Sequence, residues 1–436
     1  MNKNNHANTA ILIGGGMAGK LIAAAISPYF THVQILEKDK QPTKDKEIRP
    51  GVSQANQIHV LLQAGDHALE TLFPEFKKDM VSRGSIQIDS VKDMAWFHYG
   101  SWKQRYRSEL TTLLQTRPLL ESYVEERINQ FENVTYTYGV KVENYLIENG
   151  RVSGVITKQK TFRADLVIDT SGASALSKSF IEKQGQTVPE EKVEIGLCYA
   201  TRQFELAERE RDYKLKLIYP EAPQQKLGGT MSMIENQKYI VTLIGYLNSI
   251  DPAVIKTEEG FFQYAKKLPL LDFAQELKDG KSLTETKIYQ IPHIVWRRFD
   301  QIQLPKGLLV AGDSFCRVDP VFGQGMSVAA LEALAIKEFF EATPKQMNLN
   351  KLQKKLAKIV APVWSMVLCE DFRYEAVKGK RPFGLKFQQW YVKQIFVLSA
   401  KNRKIYDDLI KVMNLVSPPT SLFKPYILKE VFKRKG

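Results

Sequence analysis

Three glycines at G-x-G-x-x-G spacing, set between an apolar run and a helical run of small residues, constrain this chain more than any other feature. The stretch is Ile11-Leu12-Ile13-Gly14-Gly15-Gly16-Met17-Ala18-Gly19. It predicts a strand over 9–13 and a helix over 17–27. A second short apolar strand over 32–36 ends at Glu37 and completes a β-α-β opening. Gly14 permits the tight turn, Gly16 lets the backbone approach a pyrophosphate, and Gly19 brings helix and strand together. The free N–H groups at the helix start, from Gly15 into Met17 and Ala18, suit negative charge. Glu37, next to Lys38, is placed to accept hydrogen bonds from the ribose hydroxyls of an adenosine. A glycine-rich turn holding nothing needs only the glycines; strand, helix and acid in register favour a dinucleotide.

Some three hundred residues downstream lies a second glycine-rich stretch. Leu309-Val310-Ala311-Gly312-Asp313 reads as a strand and turn, continuing through Asp319-Pro320-Val321-Phe322-Gly323-Gln324-Gly325-Met326. An aspartate at that strand end, Asp313, suits a ribitol hydroxyl of FAD. Gly323-Gln324-Gly325 opens a helix, and a helix N-terminus beside the flavin N1–C2=O edge favours the charge gained there on reduction. Alone, this is a helix entry with a Pro and Gly turn. As a pair, the two stretches read as one FAD site held by both ends of the chain.

Further stretches then carry a resemblance. The chain resembles the FAD-dependent monooxygenases of the aromatic-hydroxylase fold, in the branch with polyether epoxidases and related hydroxylases. The matching segments are Gly14 to Gly19, Arg49-Pro50-Gly51-Val52 with Ile58-His59-Val60-Leu61-Leu62, Leu72-Phe73-Pro74-Glu75-Phe76, Thr116-Arg117-Pro118-Leu119-Leu120-Glu121, Ala164 to Asp169, Gly312 to Met326, and Ser417-Pro418-Pro419 to Pro425. The resemblance implies that Arg117 lies along the FAD and that the Pro320–Gly325 loop lies against the isoalloxazine. It also implies oxygen transfer from O2 to an aromatic ring or alkene through a flavin C4a-hydroperoxide. NAD(P)H then serves as a transient reductant, or a separate flavin reductase supplies electrons, since the chain has one dinucleotide fingerprint. The fold's usual Asp-Gly-x-x-Ser-x-x-Arg reads here Asp169-Thr170-Ser171-Gly172-Ala173-Ser174, with Lys178 near the arginine position. Asp169 and Gly172 fall near FAD, more for backbone packing than chemistry.

The expected fold is α/β: a Rossmann-like FAD-binding domain, an inserted antiparallel-sheet substrate domain and a helical C-terminal section. The FAD part takes 1–180, with a substrate-side excursion near 85–105, and returns at 296–345. Residues 181–295, with strands over 193–204, 213–219, 230–234 and 239–246, form the substrate sheet; 346–436 is the helical basic section. Tyr199, Met231, Met233 and Tyr246 are expected to roof an apolar substrate cavity. His59 reads either as a residue at the flavin or substrate entrance, the candidate catalytic side chain, or as a satisfied half-buried histidine. Arg297 and Arg298 read as solvated surface arginines, with an acidic substrate or the cofactor as the alternative.

Charge concentrates at one end. The chain carries a net +14, and residues 376–436 alone carry +11. With Phe383, Phe387, Trp390, Tyr391, Phe396 and Phe423 there too, the section is amphipathic: a helical appendage with a solvated basic face, or a peripheral membrane contact. No nucleic-acid partner is expected. A polar start without a signal peptide, no membrane-spanning run and three cysteines without metal spacing suggest a cytoplasmic protein with no metal. A same-fold reductase of prenyl or lipid chains is the alternative function. A halogenase lacks its Trp-x-Trp-x-Ile-Pro signature here, and a non-catalytic FAD-binding scaffold comes last.

Overall fold

The computed structural model describes residues 8–42, 48–342 and 348–433. The first residues and part of the Lys-rich loop after Lys38 lie outside them. The opening β-α-β forms over the expected residues: strands Thr9–Ile13 and His32–Leu36 flank helix Met17–Ile26, which is buried along almost its whole length. A helix with no polar face has to be covered, and Gly325–Ala342 and Arg117–Ile128 pack on it.

Five parallel strands make the first sheet, in the order Leu308–Val310, Leu166–Asp169, Thr9–Ile13, His32–Leu36, Val134–Thr137. Register decides what happens at its carboxyl edge. Ile13 pairs with both Leu36 and Asp169, and Asp169 pairs with Val310. The turns that leave these four neighbouring strands therefore start level with one another. Residues three hundred apart in sequence come to one edge because the last strand re-enters at the side of the sheet, paired with Leu166–Asp169, the neighbour of Thr9–Ile13.

The second sheet has nine strands, and its centre is the 16-residue strand Glu190–Glu205 between Tyr239–Gly245 and Lys287–Arg297. Most of it is antiparallel, as expected. One pairing is not: Met94–His98, from the early excursion, runs parallel to Leu215–Ile218. Lys287–Arg297 is a strand despite Pro292, because the register of its partner shifts between Glu194 and Leu197, opposite that proline. The missing N–H falls at a bulge, where no ladder bond is lost. A separate core, with Met231, Phe261 and Phe273, fills the space between this sheet and helices Glu258–Ala265 and Asp272–Lys278.

Leu61, Leu62, Leu69 and Leu72 have helical spacing from Val60 on, but the helix is Gln63–Leu72. Val60 instead bridges Leu114, and the Thr112 hydroxyl donates to the Leu61 carbonyl, so 60–62 stays extended. Helices Leu349–Asp371, Leu385–Ser399, Arg403–Met413 and Pro425–Lys433 close the chain. Among the described residues no helix is long and apolar enough to cross a membrane, and no cluster of His, Cys, Asp or Glu is placed to hold a metal.

Candidate functional site

At the carboxyl edge of the parallel sheet three of these turns are tied together. The Gly14 N–H donates to the Leu36 carbonyl at 2.8 Å, and Gly14 takes a φ of +99°, where a side chain is strained. The Thr170 hydroxyl lies 3.0 Å from both the Ile13 and Gly14 carbonyls. A Cβ on Gly19 would stand 2.1 Å from the Gly14 carbonyl oxygen, so this glycine is what lets helix and turn touch. Gly15 sits beneath Tyr136, whose hydroxyl donates to its carbonyl at 2.7 Å. Gly16 differs from both: nothing lies within 4 Å of a Cβ built there.

That open side is the wall of a cavity of about 910 Å³. Gly14, Gly16, Met17 and Ala18 line it from the first turn and helix start, Glu37 and Lys38 from the end of the second strand, and Gly172 from the turn after Asp169. Gly312, Asp313, Pro320, Gly323, Gly325 and Met326 line it from the distant segment. The structure thus brings the two glycine-rich stretches to one space. Helix Met17–Ile26 begins at Gly16 with no side-chain cap and no acid in its first turn, so its N–H groups remain available for an anion.

Glu37 borders the cavity, but its carboxylate is already engaged. It accepts from the Gly15 and Asp39 N–H groups, each at 2.9 Å, and pairs with Arg49 at 2.8 Å. Arg49 in turn donates to the Gly15 carbonyl at 2.8 Å and braces the turn from outside. Asp169, Gly15, Gly19 and Gln324 are not among the lining residues. Asp169 is fully buried and acts as a fastener: its carboxylate accepts from Ser171, Ser177, Tyr145 at 3.2 Å and Ser314 at 3.1 Å. Gln324 is buried too, and neither of its amide atoms finds a protein partner.

Behind Gly312 stands a buried carboxyl. The Gly312 N–H donates to Glu332 at 2.8 Å, and burial pushes the Glu332 pKa up to about 8. Arg117 reaches the cavity while donating to Glu121 at 2.9 Å through Nε. Although burial raises it, the Glu121 carboxyl is held below the usual range by Lys20 and Arg117.

His59 lies in the cavity wall, half-buried. Its Nδ1 is 2.8 Å from the Gln57 carbonyl, which can only accept, so the proton belongs on Nδ1 and Nε2 keeps its lone pair. Burial and the Arg117 charge push the imidazole pKa down to about 3. The ring is neutral at ordinary pH, an acceptor more than a base.

Three expectations about side chains need correction. Of the four residues expected to roof the cavity, only Tyr199 lines it. Met231 is in the core behind the sheet, Met233 packs at that core's border, and Tyr246 is buried against Asp319. Arg297 is not a solvated surface arginine: it is buried, pairs with Glu190 at 3.2 Å, and donates to the Asp313 and Ser314 carbonyls. Arg298 lies over the Trp296 ring, 3.9 Å from its centroid, and pairs with Glu191 and Asp300. Arg297 thus holds the Asp313 turn against the second sheet.

Other wall residues went unnoticed in the sequence. Tyr289 and Arg317 lie 28 residues apart on paired strands, and Arg317 donates to the Tyr289 hydroxyl at 3.0 Å. Nothing local marks them: the register sets Arg317 opposite Val295, and its side chain reaches along the strand to Tyr289. Thr170 and Ser171 had a signal, as the residues directly after a strand beside the first turn.

No family model matches the chain. Protein Rv3254 of Mycobacterium tuberculosis is 26% identical over 412 residues, 88% of this chain and 86% of that protein. Among solved structures, the flavin-dependent brominase Bmp2 superposes with a TM-score of 0.70 at 13% identity over 98% of both chains. p-Nitrophenol 4-monooxygenase PnpA from Pseudomonas putida DLL-E4 does so with 0.67 at 15% identity, over 94% of this chain and 99% of that one. The chain has the fold of flavin-dependent monooxygenases and halogenases.

Proposed function

We propose that the chain is an FAD-dependent monooxygenase of the polyether-epoxidase and hydroxylase branch. It places one oxygen atom from O2 on an aromatic ring or alkene of an apolar small molecule. Electrons come from transiently bound NAD(P)H or from a separate flavin reductase. Residues 1–180 and 296–345 carry the cofactor, 181–295 the substrate, and 346–436 closes the molecule. The observation behind this reading is the convergence of both glycine turns on one cavity. The donor set fits FAD: Gly16, Gly172 and Gly325 have no atom within 4 Å of a Cβ, leaving bare backbone where a pyrophosphate and a flavin ring need close approach.

FAD, when bound, supplies the redox and oxygen chemistry. Backbone N–H groups of Gly16, Met17 and Ala18 would bind the pyrophosphate, with Glu37 and Lys38 on the adenosine side and Asp313 on the ribitol. Gly325 and Met326 turn a helix N-terminus toward the flavin edge. Arg117, neutralised by Glu121, orients without adding net charge. His59 offers Nε2 as a hydrogen-bond acceptor that positions a substrate hydroxyl or ring edge. Tyr199, Tyr289 and Ile291 supply an apolar wall that keeps water out.

Oxygen uptake coupled to NADH or NADPH oxidation by the FAD-loaded protein tests the reading. A reductase of prenyl chains would consume NAD(P)H without O2. A scaffold would bind FAD yet stay inert to every reductant. A halogenase is the second reading, favoured by the fold shared with the brominase, and it predicts product formation that depends on added bromide or chloride.

A further inference from the structure

The chain has 22 phenylalanines, and four of them are exposed: Phe383, Phe387, Phe423 and Phe432. All four lie within the last 54 residues, on or beside helices Leu385–Ser399 and Pro425–Lys433. They do not lie scattered. Phe387 and Trp390 have ring centroids 5.6 Å apart, Trp390 and Phe432 5.7 Å, and Tyr391 and Phe423 stack at 4.8 Å. Phe383 stands clear of everything at 107% relative exposure, one residue before Gly384, which takes a φ of +74°. Contiguous aromatic surface of this kind is costly in water and marks a contact site.

The charges around it identify the contact. Lys380, Lys386 and Lys429 are exposed on the same elements. The acids of helices Arg403–Met413 and Pro425–Lys433 are engaged: Asp408 by Lys424 at 2.7 Å, Asp407 by the Tyr106 hydroxyl at 2.7 Å, and Glu430 by Lys433 at 3.2 Å. What remains outward is aromatic rings rimmed by lysines. A protein partner would need an acidic rim and a pocket shaped for Phe383. An anionic lipid surface needs neither, since rings settle at headgroup depth and lysines reach the phosphates.

We propose that this face docks on an anionic lipid bilayer. The same helix connects it to the cavity. On the inner side of Leu385–Ser399, Phe396 meets Trp96 at 5.6 Å, Trp96 meets Tyr219 at 5.8 Å, and Tyr219 meets Phe322 of the glycine loop at 6.3 Å. Docking therefore brings the candidate site near a source of apolar substrate. The inference goes beyond the monooxygenase reading and stands whether or not FAD binds.

Co-sedimentation of the full chain with two kinds of vesicle tests it: phosphatidylcholine alone, and phosphatidylcholine with a quarter phosphatidylglycerol. The protein sediments with the second and stays in solution with the first. Lys386→Glu with Lys429→Glu lowers the partition at least about tenfold at low salt. Phe383→Ser with Phe387→Ser lowers it by about tenfold and removes the binding that survives high salt. Unchanged thermal midpoints establish that both variants fold. Equal behaviour with the two vesicles, or indifference to the lysine pair, overturns the proposal. So does self-association in solution that disappears in the phenylalanine variant without any vesicle binding, which makes the face an interface between copies.

Discussion

The Tyr246 hydroxyl donates to Asp319 Oδ2 at 3.0 Å, joining the second sheet to the loop that opens the distal glycine segment. The other carboxyl oxygen of Asp319 accepts from the Val321 N–H at 2.8 Å and shapes the turn into Gly323. Asp371 lies beside it, and burial together with the Asp319 charge raises the Asp371 pKa. The loop is thus held from the sheet, by a residue that never touches the cavity.

Tyr246→Phe removes that hold without changing ring packing. The expected cost is about 1–3 kcal/mol of unfolding free energy, with severalfold weaker FAD binding. Denaturant unfolding and a flavin titration check it; an unchanged FAD affinity would detach the loop from this contact.

Gly16 and Gly19 separate binding from folding. Gly16→Ala adds a methyl only to the cavity, so the FAD-free protein melts as before while FAD affinity falls about tenfold or more. Gly19→Ala drives a methyl into the Gly14 carbonyl and destabilises the chain by about 1–3 kcal/mol or more. Melting curves with and without FAD distinguish the two.

Glu332 gives a pH signature. The unfolded chain releases its proton near 4.5, whereas the fold holds it to about 8. The stability it contributes is complete below pH 4.5 and drains away as pH rises toward 8. Glu332→Gln keeps an acceptor for the Gly312 N–H and flattens that slope, raising stability at pH 8 by up to a few kcal/mol. Thermal melts across this range read it.

His59 runs the other way. With its pKa near 3 against 6.5 unfolded, its contribution is complete above pH 6.5 and is lost as pH falls toward 3. Its ring resonances, followed by NMR, stay those of neutral imidazole from pH 8 to 5. A midpoint near 6.5 would mean the ring is free in solvent.

The opening β-α-β, the second glycine turn and their union were legible because each rests on local spacing, and parallel register does the rest. Long-range pairings were not. Met94–His98, with Ser101–Trp102 beside it, joins a sheet whose remaining strands begin only at Glu190, and Lys287–Arg297 hides behind Pro292. The misplaced Met231 has a related cause. Residues 228–232 of its strand are buried whichever way they face, so no alternation tells which side meets the cavity. Arg297 reads as solvated because a buried ion pair and a surface charge look alike in sequence.

The most direct measurement is the visible absorption spectrum of the purified protein, before and after FAD is added and free flavin removed. The account predicts the two-banded spectrum of oxidised flavin, at one FAD per chain, lost in Gly16→Ala. A colourless protein that takes up no FAD, with melting unmoved by it, would contradict the central claim that the two glycine turns share one cofactor.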